Sequence, residues 1–391
     1  MLRLRYVFSY ILGFCALFSG NANSKPFTKP DSGKYDIAVY YFPNWGPFET
    51  SEWKRLSKAK PMFKGHQQPK VPLWGYENEN NPEVMARKID AATAYGVNTF
   101  IFDWYYNDAG KYLSEALEKG FLKAKNANKM KFSLLWCNHD LGKEKGAVKP
   151  ETFEKITDYV IEHYFKQPNY WKINGAPYFS IYQFDTFLET FGNDTTKAFA
   201  ALDRFRTKVK NAGFPDLHLN GVLWGLRGAN RDKTINTLGI NSTTSYVWIH
   251  HIALPNFPAS NYNTIGNAYF KSIENGGAVN GLETSVNSTV PYHPNVSMGW
   301  DSSPRCANAT PEYWNQHQTP YPYGAVIENN TPANFKAALL KAKAYVEQKP
   351  RSERIIVINS WNEWGEGSYL EPDTKNKMAY LEALRDVFVS K

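Results

Sequence analysis

Residues 354–373 read Arg-Ile-Ile-Val-Ile-Asn-Ser-Trp-Asn-Glu-Trp-Gly-Glu-Gly-Ser-Tyr-Leu-Glu-Pro-Asp. The first seven, Arg354 to Ser360, form an apolar run rich in β-branched residues, the pattern of a strand buried on both faces. The run ends in carboxylates, indoles, an amide and two glycines, none of which a strand needs for its stability. Glu363 and Glu366, three apart, flanked by Trp361, Asn362 and Trp364 and freed by Gly365 and Gly367, have the composition that cleavage of a sugar linkage requires. A surface loop with ordinary solvated glutamates is the alternative. Two tryptophans beside two glutamates argue against it.

Working outward, seven more strand-like runs precede this one, at residues 36–42, 97–102, 131–136, 176–182, 218–224, 243–248 and 295–300. Helical periodicity falls between them, at 82–95, 111–126, 150–164, 195–211, 231–238, 264–275 and 331–347, and 374–388 closes the chain. Asn81-Pro82-Glu83 carries a cap, a proline at the first helical position and an early acid. Gly96 and Gly213 stand where a helix stops before a strand. Eight βα units predict an α/β fold, a single-domain (β/α)8 TIM barrel over residues 36–391. A doubly wound open sheet is the alternative, but it wants a glycine-rich phosphate loop after the first strand. Phe42-Pro43-Asn44-Trp45-Gly46-Pro47 stands there instead.

Two βα connections are unusually long, 44–81 after the first strand and 301–330 after the seventh. In a barrel both lie on the catalytic face, as cleft walls. The ends of the strands supply a set that would converge there: Tyr41, Trp45, Asp103, Trp104, Tyr105, Trp136, Asn138, His139, Tyr182, Trp224, Arg227, Trp248, His250, Trp300, Asp301 and Arg305, with His66 from the first long loop. Aromatic faces stack on sugar rings while Asp, Asn, His and Arg bond hydroxyls. Packing or a structural hydrogen bond is the alternative for each residue taken alone.

The totals set outer bounds. With 42% hydrophobic and 21% charged residues the chain is an ordinary globular protein, and its 16% aromatic content suits a sugar binder. Residues 1–24 read as a secretory signal: Arg3 and Arg5, an apolar stretch too short to span a bilayer, then Ala22-Asn23-Ser24. A retained anchor is the alternative, and Phe14 before Cys15 argues against a lipoprotein site. Residues 25–35 are a polar lead-in. Export implies a secreted, periplasmic or cell-surface protein. The formal charge of +8 falls to +6 with the leader and allows an acidic or sulfated polymer as substrate. The basic residues are scattered, which argues against nucleic acid. Cys137 and Cys306 fit no zinc spacing and read as free buried thiols, with a bridge as the alternative. No HExxH pair and no G-x-S-x-G elbow occurs, so the reading calls for no metal, no cofactor and no serine nucleophile.

Several of these stretches resemble the WbsX-type family, whose relatives include the endo-α-mannosidases of glycoside hydrolase family 99. They are Ala38-Val39-Tyr40-Tyr41-Phe42-Pro43, Gly65-His66-Gln67-Gln68-Pro69, Ile101-Phe102-Asp103-Trp104-Tyr105-Tyr106, residues 296–305 and residues 361–373. The resemblance implies a (β/α)8 barrel with both glutamates catalytic. Glu363 would take the proton of a substrate 2-hydroxyl so that the sugar displaces its own leaving group through an anhydro intermediate. Glu366 would serve as acid and then base, with retention. The mannosidase signature carries histidine where this chain has Gly365. That departure puts the mannose preference in doubt and leaves α-mannan-like and acidic or sulfated glycans both open as substrates. The expected activity is therefore a secreted retaining glycoside hydrolase, endo-acting on a polysaccharide or glycan. A glycosyltransferase of surface-polysaccharide assembly and a non-catalytic carbohydrate-binding barrel are the alternatives. All of it requires that side chains 363 and 366 share one ring-lined hollow and that no ion pair consumes both.

Overall fold

In the computed structural model the described residues are 34–140, 145–225, 231–275, 290–306, 309–318 and 321–389. The leader, most of the lead-in and Arg227 lie outside them. Nine strand segments form one ring: β1 (Asp36–Tyr41), β2 (Thr99–Asn107), β3 (Lys131–Trp136), β4 (Ala176–Ile181), β5 (His218–Val222), β6 (Ser242–Thr244), β7 (Tyr292–His293), β8 (Asn295–Ser297) and β9 (Ile355–Asn359). They lie in the order β7-β6-β5-β4-β3-β2-β1-β9-β8, and every pairing is parallel. β7 and β8 occupy one barrel position, interrupted by Pro294, which has no N–H to give the ladder. The first half bonds to β6 and the second to β9, so the barrel is nearly closed and single-domain, with eight strand positions.

β9 is buried along its whole length, Ile355 pairing with Asp36 of β1 and Val357 with Asn295 of β8. Its β-branched residues fit that two-sided burial, and each such side chain contributes roughly 1.5–3 kcal/mol. Around the ring run α1 (Pro82–Ala94), α2 (Pro150–Val160), α3 (Thr195–Asn211), α4 (Arg231–Leu238), α5 (Tyr262–Asn275), α6 (Pro332–Glu347) and α7 (Ala379–Phe388). The Asn81 side chain accepts from the Glu83 N–H at the start of α1, a cap contributing about 1 kcal/mol. The Asp194 carboxylate does the same for Thr196 and Lys197 at the start of α3.

One expected helix is shorter and irregular. Residues 111–126 begin as a short strand, Gly110–Tyr112, paired antiparallel with β2, and continue as a π turn (Ala116–Gly120) and a 3-10 turn (Phe121–Lys123). Pairing with β2 consumes the first residues. At Gly120 the backbone lies so close to Glu79 that a Cβ would come within 2.1 Å of its carbonyl oxygen. The sixth strand is also shorter than expected, and Trp248 sits on a 3-10 turn beyond it.

The two long loops are docked on each other. A small apolar cluster of Met62, Cys306, Trp314 and Val326 joins the loop after β1 to the loop after β8. Cys137 and Cys306 are both buried and unbonded. Among the described residues no helix is long and apolar enough to cross a membrane.

Candidate active site

β9 ends at Asn359, and the chain turns immediately. The Glu363 N–H donates to Ser360 Oγ (2.8 Å), and Asn362–Glu363 pairs antiparallel with Ser368–Tyr369. A single 3-10 turn, Trp364–Glu366, closes this hairpin, and Gly367 takes the left-handed conformation at φ 63°. The expected departure from the strand before Glu363 is therefore present, and it brings the two glutamates to one place. Arg305 binds both. Its Nη2 lies 2.8 Å from Glu363 Oε1, its Nη1 2.5 Å from Glu366 Oε1, and its Nε 3.4 Å from Glu52 Oε2. The Tyr321 hydroxyl donates to the same Glu366 oxygen at 2.9 Å and meets Arg305 as well. Glu363 forms the floor, its side chain 3% exposed, and Glu366 is more open at 13%.

An ion pair thus engages both acids, but it does not exhaust them. Arg305 and Tyr321 use Oε1 only, and neither Oε2 accepts a hydrogen bond from the described residues. Gly365 explains how the guanidinium fits. A Cβ there would lie 2.8 Å from Glu52 Oε2 and 3.0 Å from Arg305 Nε.

Three carboxylates surround one cation, so the group holds more acid than its positive charge can neutralise. Burial pushes Glu363 well above the usual carboxylate range. Arg305 pulls it back, while Glu366, Glu52 and Asp103 push it further up. Glu366 is raised in the same way, by burial against the pull of Arg305 and of the Tyr321 bond. Two close buried carboxyls that share one counter-charge disfavour being ionised together. Asp103 is buried beside them. Burial, countered by the Tyr246 hydroxyl at 2.8 Å, lifts it to about 8, and the charge of Glu366 adds to the rise. Its Oδ1 has no hydrogen-bond partner among the described residues.

A cavity of about 330 Å³ opens along the ends of β3, β4 and β5, lined by His139, Asp140, Tyr182, Gln183, Thr186, Glu189 and Trp224. Glu363 and Glu366 are not part of its wall. Tyr182 connects the two regions: it lines the cavity, and its buried hydroxyl is raised by burial and by the nearby Glu366. Trp224 stacks on His250 at 4.1 Å. Burial lowers His139 to about 4, so it is neutral at pH 7.

The structure brings Glu363, Glu366, Arg305, Asp103, His139, Tyr182, Trp224 and His250 together at this end of the barrel, with Tyr105 beneath His139. It corrects the expectation for most of the tryptophans. Trp104, Trp136 and Trp248 face outward from the barrel and pack under helices, against Tyr159 and Tyr164, Phe153, and Tyr262 and Tyr269 respectively. Successive strand residues alternate between the two faces, so half of any strand-end set points away from the bowl. Tyr41, Trp45, Trp361 and Trp364 are likewise fully buried, and Trp300 is nearly so. Asn138 spends its amide on the Gln183 backbone, and Asn362 spends its own on Phe42 and Glu79.

Asp301 is also committed internally. Its Oδ2 accepts from His66 (2.9 Å), Gln68 (2.8 Å) and Lys70 (2.8 Å), while Oδ1 accepts from Ser303. Burial opposes its charge, but Lys70 and His66 outweigh that and hold it far below the ordinary range. Asp301 and His66 therefore brace the loop that carries Arg305. The sequence reading missed Glu52 and Tyr246, and it placed Tyr321 only as part of a long loop. Nothing local marks Glu52, whereas Tyr321-Pro322-Tyr323 is an aromatic cluster inside a cleft wall.

The family model described as Glycosyltransferase WbsX matches residues 44–384. An uncharacterised protein, WxcX, from Xanthomonas campestris pv. campestris (strain B100) is 23% identical over 383 residues, covering 91% of this chain and 50% of that protein. Its counterpart in strain ATCC 33913 is 22% identical over 389 residues, covering 94% and 51%. The chain thus spans about half the length of the curated relatives it matches. Among solved structures, a GH99 endo-alpha-mannosidase from Bacteroides thetaiotaomicron in complex with bis-tris-propane superposes with a TM-score of 0.58 at 17% identity, covering 92% of this chain and 97% of that one. A glycoside hydrolase-like protein gives the same TM-score at 14% identity, covering 92% and 95%. At these identities the likeness establishes the fold.

Proposed function

Because this chain belongs to the WbsX glycosyltransferase family and pairs two buried glutamates at the end of its last barrel strand, we propose that it is a retaining glycoside hydrolase. Its substrate class is a polysaccharide or glycan. The observation that carries the reading is the shared guanidinium. One planar Arg305 fork can bond two separate carboxyls only when they are a few ångström apart. That closeness lets both carboxyls act on one sugar residue, and retention follows from the two displacements of the 2-hydroxyl route below.

In this mechanism Glu366 Oε2 gives its proton to the glycosidic oxygen while Glu363 Oε2 takes the proton of the neighbouring 2-hydroxyl. The sugar oxygen closes on the anomeric carbon as the leaving group departs. Water, deprotonated by Glu366, then opens the anhydro ring from the opposite side, and Glu363 returns the proton. Two inversions leave the configuration retained. Burial raises both acids, and their closeness disfavours ionising the two together, so the pair carries a proton into the reaction. A bound 2-hydroxyl donating to Glu363 favours its charged form and moves the proton to Glu366. Arg305 keeps the pair from holding two protons, and neutral Asp103 offers a donor to a sugar hydroxyl.

The family's own description supports a second reading, transfer from an activated sugar donor. Incubation of the purified protein with a panel of glycans, without nucleotide sugar, separates the two. New reducing ends support hydrolysis, and strict donor dependence overturns it. The charged residues at Arg3 and Arg5 and the apolar stretch after them support export to the periplasm or cell surface. N-terminal sequencing of the fractionated protein tests this, with Lys25 expected as the first residue.

A further inference from the structure

Lys88, on α1, is 1% exposed, yet it carries a charged amine. Burial would lower its pKa, but Glu371 and Glu79 outweigh that and hold it protonated. It pairs with Glu79 and, at 2.6 Å, with Glu371 Oε1. Both partners are themselves sealed from solvent. Each carboxylate continues to one neighbour of Glu363. Glu79 accepts from the Asn362 amide (3.0 and 3.2 Å), and Glu371 Oε2 accepts from the Trp364 indole N–H (3.0 Å). Asn362 is fixed further by Phe42, whose N–H donates to its side chain (2.8 Å), and by the Trp45 indole, which donates to its carbonyl (2.8 Å).

Stability alone does not account for such a group, since apolar residues of similar volume commonly replace a buried ionic triad without loss. What an apolar cluster cannot do is fix the azimuth of two particular side chains. Residues 362 and 364 are held from one side, and residue 363 emerges between them toward Arg305. We propose that Lys88 is a positioning residue for Glu363, tying α1 through Glu79 and Glu371 to both neighbours of that acid and so setting where its carboxyl meets Arg305. The inference rests on the reading of Glu363 as a catalytic base.

The test uses the full chain in two variants, Lys88→Met and the neutral triple Lys88→Met/Glu79→Gln/Glu371→Gln. The single variant leaves two buried acids without their cation, with Glu79 already lifted to about 7 by burial, and is expected to melt earlier. The triple variant removes those charges and is expected to recover the melting temperature. Both are expected to turn over substrate about 10-fold slower or worse at unchanged KM, because a misplacement near 1 Å is enough for such losses. A triple variant with both wild-type melting and wild-type kcat overturns the proposal, since the network would then act only on stability. If the wild type cleaves no glycan, the functional reading fails, and a crystal structure of the triple variant decides the positioning role. A Glu363–Arg305 contact displaced from its 2.8 Å supports it, and an unchanged contact overturns it.

Discussion

Two groups of the same composition lie around residues 362–364: Arg305 with Glu363 and Glu366, and Lys88 with Glu79 and Glu371. Each sets one cation against a pair of acids, with Glu52 as a third beside Arg305. They differ in how many acceptor oxygens are taken. In the Lys88 group all four carboxylate oxygens are bonded, to the amine, the Asn362 amide and the Trp364 indole. In the Arg305 group only the two Oε1 atoms are bonded from the described residues, and Glu366 keeps 13% of its side chain exposed. A saturated network holds shape. An unsaturated one keeps unused acceptor oxygens, which is what proton transfer to a ligand demands.

The comparison breaks most sharply in stability. Lys88→Met is expected to cost about 3–5 kcal/mol in a denaturant titration, because it strands two sealed carboxylates. Glu366→Gln is expected to stay within about 1 kcal/mol of wild type while losing at least ~10²-fold in kcat with ligand affinity kept. Equal stability losses in the two variants would erase the distinction drawn here.

The next effect is on pH. Asp103 rises from 3.8 to about 8, so the folded protein holds a proton there that the unfolded chain releases earlier. Its contribution to stability is complete below pH ~4 and is lost as pH climbs through about 8. Asp103→Asn is expected to flatten the melting temperature across that window, measured by calorimetry at several pH values. Gly365→Ala is a smaller intervention. The new methyl meets only flexible side-chain ends, so about 1 kcal/mol of stability is expected to go. As Arg305 is pushed off the pair, its pull on the carboxyls weakens and their pKa values rise. The acidic limb of the pH–rate profile is then expected to move upward. Tyr321→Phe is the mildest. It removes one bond to the charged form of Glu366, raising that acid's pKa and changing the rate a few-fold, with stability untouched because the ring is 53% exposed.

Much of this was legible in the chain. β9 and the hairpin after it follow from a β-branched run meeting two glycines, and the barrel follows from eight repeats of one pattern. The tryptophans were harder to place, since a strand end gives the residue type but not the face. Trp104 and Trp136 were assigned to the bowl, yet both lie under helices. Arg305 was found through its motif. Glu52, its partner 253 positions away, had no local signal, because only the docking of two loops brings it near. Lys88 reads as an ordinary helix-surface lysine, and its burial depends on Glu79 and Glu371, which lie on other elements.

The clasp between the loops after the first and seventh barrel strands, built from Met62, Cys306, Trp314 and Val326, has a consequence for divergence among relatives. Glu52 and Arg305 ride on separate sides of that clasp, while Glu363 and Glu366 ride on neither. Lengthening or trimming either loop would retune the acidity of the pair and reshape its entrance without altering a residue of the hairpin itself. One reaction centre could in this way serve many different glycans by exchange of its rim.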